Sequence, residues 1–406
     1  SQPSTRSRLH DSLAILISYV LRFPSIHHHF KRVHMTSTND KSSMQCDQTS
    51  TSHDVQKSGV LAKSDIRSTL PEELETILVD ELGEKKFRTA QILRWVFEKR
   101  AQSWDEMTNL SKSLREKLAN RFDLAPLPIA EEHIAKDGTN KIAFPLHDGS
   151  IVESVLIPTP DRLTLCVSSQ VGCKFGCAFC RTATLGFHRH LSASEIVQQV
   201  LVAQEVAHRR LDRRITNIVF MGMGEPLDNY ENVVRALKIL LHSQTLDFSR
   251  RKITLSTVGH VTGLQALARE NLGINLAISL HAASDELRSQ IMPANRIWSL
   301  DELFNTLRAF PLDARQRITF EYIIIHDLNH SAHDANLLVK RLHGIPAKVN
   351  LIGFNAFDGC KFQSPTEAEI VDFQERLLRK GLSTSLRLPR GDDELAACGQ
   401  LGHKGE

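Results

Sequence analysis

The sequence predicts an α/β fold, a (β/α) barrel or part of one behind a small helical domain. Three observations carry this. Between residues 162 and 380, apolar segments of strand character alternate with amphipathic helical ones, the rhythm of a parallel sheet. From Pro71 to Phe122 the pattern is helical, with Leu74, Ile77 and Leu78, then Ile92, Leu93, Val96 and Phe97, on helical spacing. The strand ends read CVSSQVGC, MGMGEP, STVGH, SLHA and GFNAF, small and polar where barrels gather their chemistry.

Composition sets the frame. The chain has 406 residues, 41% of them hydrophobic and 24% charged, enough for two or three globular domains. A net charge of +3 is too small to argue for nucleic acid on its own. The seven cysteines do not make a secreted disulfide scaffold in a chain this long, and clustered cysteines in an intracellular enzyme point to metal or catalysis.

Residues 1–65 read as a disordered leader. Its apolar run Leu13–Val20 follows Arg6 and Arg8 and is too short to span a bilayer, though it could serve as a targeting segment. The chain does not begin with Met, and Met35 could be a later start. Residues 66–125 form the helical accessory domain, with Ser103 as an N-cap before a short helix and LSKSLREKLANRF as an amphipathic one. Nine Lys/Arg against six Asp/Glu between residues 81 and 120 suit either a solvated face or phosphate contacts through Lys85, Lys86, Arg88 and Lys112. Residues 126–158 alternate like strands, with Asp148-Gly149 as a hairpin signal, and read as a β-hairpin linker.

Residues 159–385 are the barrel. Its strands are RLTLCVS, NIVFMGMG, KITLSTVG, NLAISLHA, RITFEYIII and KVNLIGFN, and its helices span 192–210, 229–243, 261–270, 300–309, 331–343 and 366–380. Residues 386–406 form a tail in which Gly391, Gly399 and Gly402 flank Cys398 and give it freedom to move.

Cys173, Cys177 and Cys180 stand in a C-x3-C-x2-C spacing after the first barrel strand. Structural zinc wants four protein ligands, usually from two C-x2-C knuckles, and no second knuckle lies nearby; His188 or His190 could complete a zinc set. Three thiolates suit instead a 4Fe–4S cluster with one iron left open to a small ligand. Gly224 lets backbone approach a ligand, and Glu225 offers a carboxylate to an ammonium group. Ser256, Ser279 and His281 present hydroxyl and imidazole groups at further strand ends, and Asn355 an amide. A lone Cys166 or Cys398 is most simply a buried small hydrophobe, but Cys166 sits beside the cysteine cluster on the same strand end.

The spacing resembles the radical S-adenosylmethionine (SAM) superfamily, and TLCVSSQVGCKFGCAFC, FMGMGEPLDNY, ISLHA, LIGFNAF and RGDDELAACGQL together resemble its bacterial methyltransferases acting on adenosine in 23S rRNA and tRNA. EKKFRTAQILRWVF and DEMTNLSKSLREKL resemble that family's accessory domain, so the likeness covers roughly residues 70–402. It implies a partial barrel of the radical SAM type. It also implies a cluster on Cys173, Cys177 and Cys180, with SAM held by Gly224, Glu225, Ser256, Ser279, Leu280, His281 and Asn355. Two SAM molecules are used per turnover. One methylates Cys398; the other yields a 5′-deoxyadenosyl radical that takes hydrogen from that methyl, and the resulting carbon adds to adenine. Cys166 then attacks the Cys398 sulfur and releases the product as a disulfide forms. Glu153, in SIVESVLIP, aligns with the base that removes the ring proton, a role Cys166 could also fill. GEPL and RGDDELAACG resemble the branch that methylates C2, whereas the C8 branch tends to carry Ala in place of Pro226. The implied partners are 23S rRNA, tRNA and a reductant such as flavodoxin. A cytoplasmic monomer without membrane attachment is expected. A zinc-stabilised RNA-binding module is the competing reading from another class.

Overall fold

A computed structural model of the protein describes residues 63–402, apart from 358, 388, 389, 392 and 393; residues 1–62 of the leader, with Leu13–Val20 and Cys46, lie outside the described residues, while Ser64–Asp65 pair with Phe122–Asp123 beside the helical domain. Helix α1 (Pro71–Thr76) opens on a proline whose fixed φ suits a first helical position, and Glu73 reaches back to the Leu70 N–H at 3.0 Å. Helix α2 (Phe87–Leu93) runs into a wider turn, Arg94–Glu98, and α3 (Lys112–Arg121) is capped by Ser111. Their apolar faces close on Leu74, Leu78, Ile92, Val96, Leu114 and Leu118, all at most 1% exposed. Ser103 caps only the single turn Trp104–Glu106, with Glu106 accepting from its N–H at 2.9 Å.

The sheet has ten strands: β1 (Glu131–Ile134), β2 (Asn140–Pro145), β3 (Ile151–Pro158), β4 (Leu163–Cys166), β5 (Asn217–Phe220), β6 (Ile253–Thr257), β7 (Asn275–Ser279), β8 (Ile318–Ile324), β9 (Ala347–Gly353) and β10 (Thr384–Arg387). Their order across the sheet follows the chain from one edge to the other. From β1 to β4 neighbours are antiparallel; from β4 to β10 they are parallel. The sheet therefore curls without closing, a partial barrel.

Helices α4 (Ala193–Leu211), α5 (Tyr230–Leu241), α6 (Val261–Glu270), α7 (Leu300–Arg308), α8 (Ala332–Leu342) and α9 (Glu367–Arg379) make the parallel crossovers. Four begin with reciprocal caps, at Ser192/Glu195, Ser299/Glu302, Ser331/Asp334 and Thr366/Glu369, which satisfy first-turn N–H groups that would otherwise lack partners. Strand β8 is buried along its whole length, as a strand covered on both faces should be.

Two features depart from the sequence reading. The hairpin of residues 126–158 is no detached linker: β3 pairs directly with β4, Val155 opposite Cys166, and extends the barrel sheet. Gly149 makes its turn at φ 81°, with Ser150 N donating to Asp148 at 3.0 Å. The edge strand β10 lies in STSLR, polar but for Leu386, because an edge needs no apolar run. The helical domain seats on the barrel through Gln198, which donates to Asp65 at 2.7 Å and accepts from Leu127 N at 2.5 Å, and through Arg235–Glu73 at 2.7 Å. Among the described residues no helix is long and apolar enough to cross a membrane.

Candidate active site

The parallel strands lead their C-terminal ends into one cavity of about 980 Å³, mouth included. Cys173, Cys177 and Cys180 line it, with Gly224, Glu225, Ser256, Ser279, His281 and Cys398. The loop after β4 is shaped by close approach: Gly172, at φ 73°, would put a Cβ 1.8 Å from the Gly186 carbonyl oxygen, so only glycine fits. The Cys173 N–H donates to that same oxygen at 2.8 Å. Burial pushes all three thiols up, Cys173 to about 12, and each feels repulsion from other negative groups around it. Three such half-buried sulfurs, crowded together, do not all ionise unless a cation arrives with them. The donor set therefore fits an iron cluster, whose thiolate ligands are neutralised on binding.

Glu225 is buried, and burial lifts its carboxyl to about 7. Its two oxygens accept from Val258 N at 2.8 Å and Leu227 N at 3.0 Å, while its own N–H donates to Gln170 Oε1 at 2.8 Å. At Gly224, φ 95°, a Cβ would lie 2.5 Å from the Gln170 side chain. His281 has a positive φ of 59° and accepts from Ile323 N at Nδ1, 3.0 Å. Burial, helped by Arg288, lowers its pKa to about 3, so the ring is neutral with its proton on Nε2. Arg288, itself buried, donates to the carbonyls of Val258, Ser279 and Leu280 and ties two strand ends, those of β6 and β7, together. Leu280 turns its side chain into the core rather than the cavity.

Asn355 does not line the large cavity. It borders a smaller one beside it, with Cys166, Arg387, Arg390 and Cys398. Cys398 faces both, so the two isolated cysteines of the sequence meet at one wall. Both are free thiols, and burial raises Cys166 to about 12. The tail is held in place: Gly399 O accepts from Arg181 N at 2.7 Å and Leu401 O from Thr182 Oγ1 at 2.7 Å. Glu153, 2% exposed, lies under that tail on the same sheet face as Val155 and borders neither cavity. In the helical domain, Lys86 pairs with Glu75 and Lys112 with Glu116, while Arg88 donates to Gln91 and Asn109. These pairs are exposed and weak enough to exchange for phosphate.

Sequence reasoning missed Glu321 and Arg387, both on the cavity wall. The signal for Glu321 was present: a lone carboxylate in the middle of the apolar strand RITFEYIII.

Residues 68–124 match the ribosomal RNA large subunit methyltransferase N-terminal domain, and residues 167–336 match the radical SAM superfamily. A dual-specificity RNA methyltransferase RlmN from Syntrophobacter fumaroxidans is 48% identical, over 82% of this chain and 96% of that protein. Another, from Nautilia profundicola, is 45% identical over 82% and 96%. The crystal structure of a radical SAM methyltransferase from Sphaerobacter thermophilus superposes with a TM-score of 0.78 at 41% identity, covering 83% of this chain and 98% of that one.

Proposed function

The chain belongs to the RlmN family of radical SAM RNA methyltransferases, and from that premise we propose that it methylates C2 of a specific adenosine in 23S rRNA and in tRNA. One observation carries the reading: Cys398, on the tail, and Cys166, at the end of β4, border the same cavity, beside the loop of Cys173, Cys177 and Cys180. A protein using only one SAM-derived radical would have no need of that pair.

In this reading Cys173, Cys177 and Cys180 hold a 4Fe–4S cluster. Glu225 takes the methionine ammonium of SAM, and Ser256, Ser279 and the Nε2–H of His281 take its remaining polar groups. The bound cluster supplies the electron that splits SAM into methionine and a carbon radical. Cys398 acts twice, first as the sulfur that accepts a methyl group from one SAM, then as the sulfur that presents that carbon to the base. Cys166 resolves the link: its sulfur bonds to the Cys398 sulfur as the carbon–sulfur bond breaks, the electron pair of that bond stays with the carbon, and the carbon takes up the proton the Cys166 thiol gives up and remains on adenine as a methyl. Burial keeps the Cys166 thiol protonated until that step, which favours Glu153 over Cys166 for taking the C2 proton. Lys85, Lys86, Arg88 and Lys112 would meet RNA phosphates, with a flavodoxin-type reductant, and a monomer working in the cytoplasm suits such substrates.

The test is product analysis. Cluster-loaded enzyme, SAM and reductant are incubated with tRNA and with a 23S rRNA fragment, and the digested nucleosides are separated by mass. Methyl at C2 of adenosine is expected; methyl at C8, or none, overturns the reading.

A further inference from the structure

A buried carboxylate and a half-buried guanidinium on the cavity wall have unused hydrogen-bonding capacity. Glu321, in the middle of β8, is 3% exposed. Its Oε1 accepts from Asn350 Nδ2 at 3.1 Å, and Asn350 in turn accepts from Ser385 Oγ at 2.6 Å, so the carboxylate is oriented from outside. Its Oε2 is buried and has no partner. Arg387, the last residue of β10, borders both cavities, as Cys398 does. Among the described residues its guanidinium donates only to Met221 Sδ, at 3.7 Å, a weak acceptor for one of five N–H groups. Glu321 and Arg387 feel each other's charge, yet they form no ion pair with one another. A buried carboxylate oxygen left this open is costly unless something fills it.

Resting on the function proposed above, we infer that Glu321 and Arg387 read the N6/N1 edge of the target adenine. Adenine offers an amino donor at N6 beside an acceptor at N1; a carboxylate beside a guanidinium is its complement. Guanine offers the reverse, an acceptor at O6 beside a donor at N1, and would set oxygen against carboxylate and N–H against guanidinium. The orientation follows from the same contacts. C2 is bonded to N1, so a base held by N1 at Arg387 turns C2 toward the wall where Cys398 stands. Burial raises the Glu321 carboxyl, and the Arg387 charge and the Asn350 amide oppose part of that rise.

SAM carries the same adenine edge, and the experiment separates the two. Cluster-loaded wild-type enzyme is given substrate RNA in which the target nucleoside is adenosine, purine riboside (no N6 amino group) or 1-deazaadenosine (no N1). A lost hydrogen bond to a buried charge is expected to lower kcat/KM about tenfold or more for each analogue. In Glu321→Ala the adenosine-to-purine-riboside ratio falls toward one, and in Arg387→Ala the adenosine-to-1-deazaadenosine ratio does. SAM binding without RNA is unmoved by Glu321→Ala. If the alanine variants load no iron, Glu321→Gln, which keeps a neutral acceptor, must still lower the first ratio. Ratios that persist in the variants overturn the inference, as does weakened SAM binding in Glu321→Ala, which would assign the carboxylate to the cosubstrate. Wild-type enzyme that makes C2-methyladenosine yet accepts purine riboside equally well overturns this inference alone. Wild-type enzyme that makes no C2-methyladenosine removes the function it rests on, and this with it.

Discussion

The backbone N–H of Gly402 donates to Glu153 Oε2 at 2.7 Å, joining positions 249 residues apart. The other oxygen of that carboxylate faces Lys141 Nζ at 3.5 Å. The proposed base is thus held by the tail that carries the proposed methyl acceptor. Removing a proton from adenine requires Glu153 to exchange the Gly402 N–H for substrate, so base and acceptor are released together.

Glu153→Gln keeps an oxygen able to accept from Gly402 but removes the base. RNA methylation is expected to fall about a hundredfold, the usual scale for a missing general base, while Cys398 still becomes methylated. Mass analysis of the tail peptide and of the RNA nucleosides reads both. A parallel loss of Cys398 methylation would show Glu153 to be a clasp only.

Cys177→Ala is expected to purify without full iron and to release no 5′-deoxyadenosine. Iron content and the broad absorption of an anaerobic sample give the answer, and full iron loading in the variant would remove Cys177 from the ligand set.

Cys398→Ala and Cys166→Ala should separate in kind. The first loads iron but leaves neither protein nor RNA methylated. The second stalls with RNA bound to Cys398 through one carbon, a conjugate sensitive to nuclease and stable to reductant. Free, active Cys166→Ala protein would falsify the covalent route.

Gly172→Ala meets both a left-handed φ and the Gly186 oxygen, with no flexible side chain to yield. The loop must move, so iron content should drop along with the melting temperature, at a stability cost of roughly 2 kcal/mol or more. Unchanged values in the variant would mean that the loop has slack.

His281 sets an acid limit. Its folded pKa is lowered from 6.5 to about 3, so below pH 6.5 the unfolded chain binds a proton that the folded one refuses. Its contribution to stability is intact above pH 6.5 and declines as pH falls toward 3, by up to about 1.4 kcal/mol per pH unit. Urea midpoints between pH 6.5 and 5.5 should fall in the wild type and fall less in His281→Gln; equal slopes would count against the buried neutral ring.

What the sequence made legible follows from period and spacing. The six barrel strands and their helices were readable because parallel strands need unbroken apolar runs and their helices need a stripe. The cysteine loop was readable because its ligands are close in the chain. Strand β10 was not, since three of its four residues are polar. Glu321 and Arg387 were passed over because they are 66 positions apart, and a site assembled across a sheet leaves no local pattern. Asn355, just past a strand end, borders the smaller cavity that it shares with Cys166 and Cys398, a placement no local pattern in the chain announces.

Strand order that repeats chain order has a consequence for how the protein comes to be. Each strand docks beside the one made just before it, so the sheet can grow from one edge by short-range additions. Closure is the exception: Leu401 reaches Thr182 across 219 residues, and Gly402 reaches Glu153 across still more. A growing chain thus carries its cysteine loop and strand ends well before Cys398 can join them. With Cys398 in its proposed role, an immature chain is chemically disarmed, and cutting mature protein just before Cys398 is expected to return it to that state with the sheet intact.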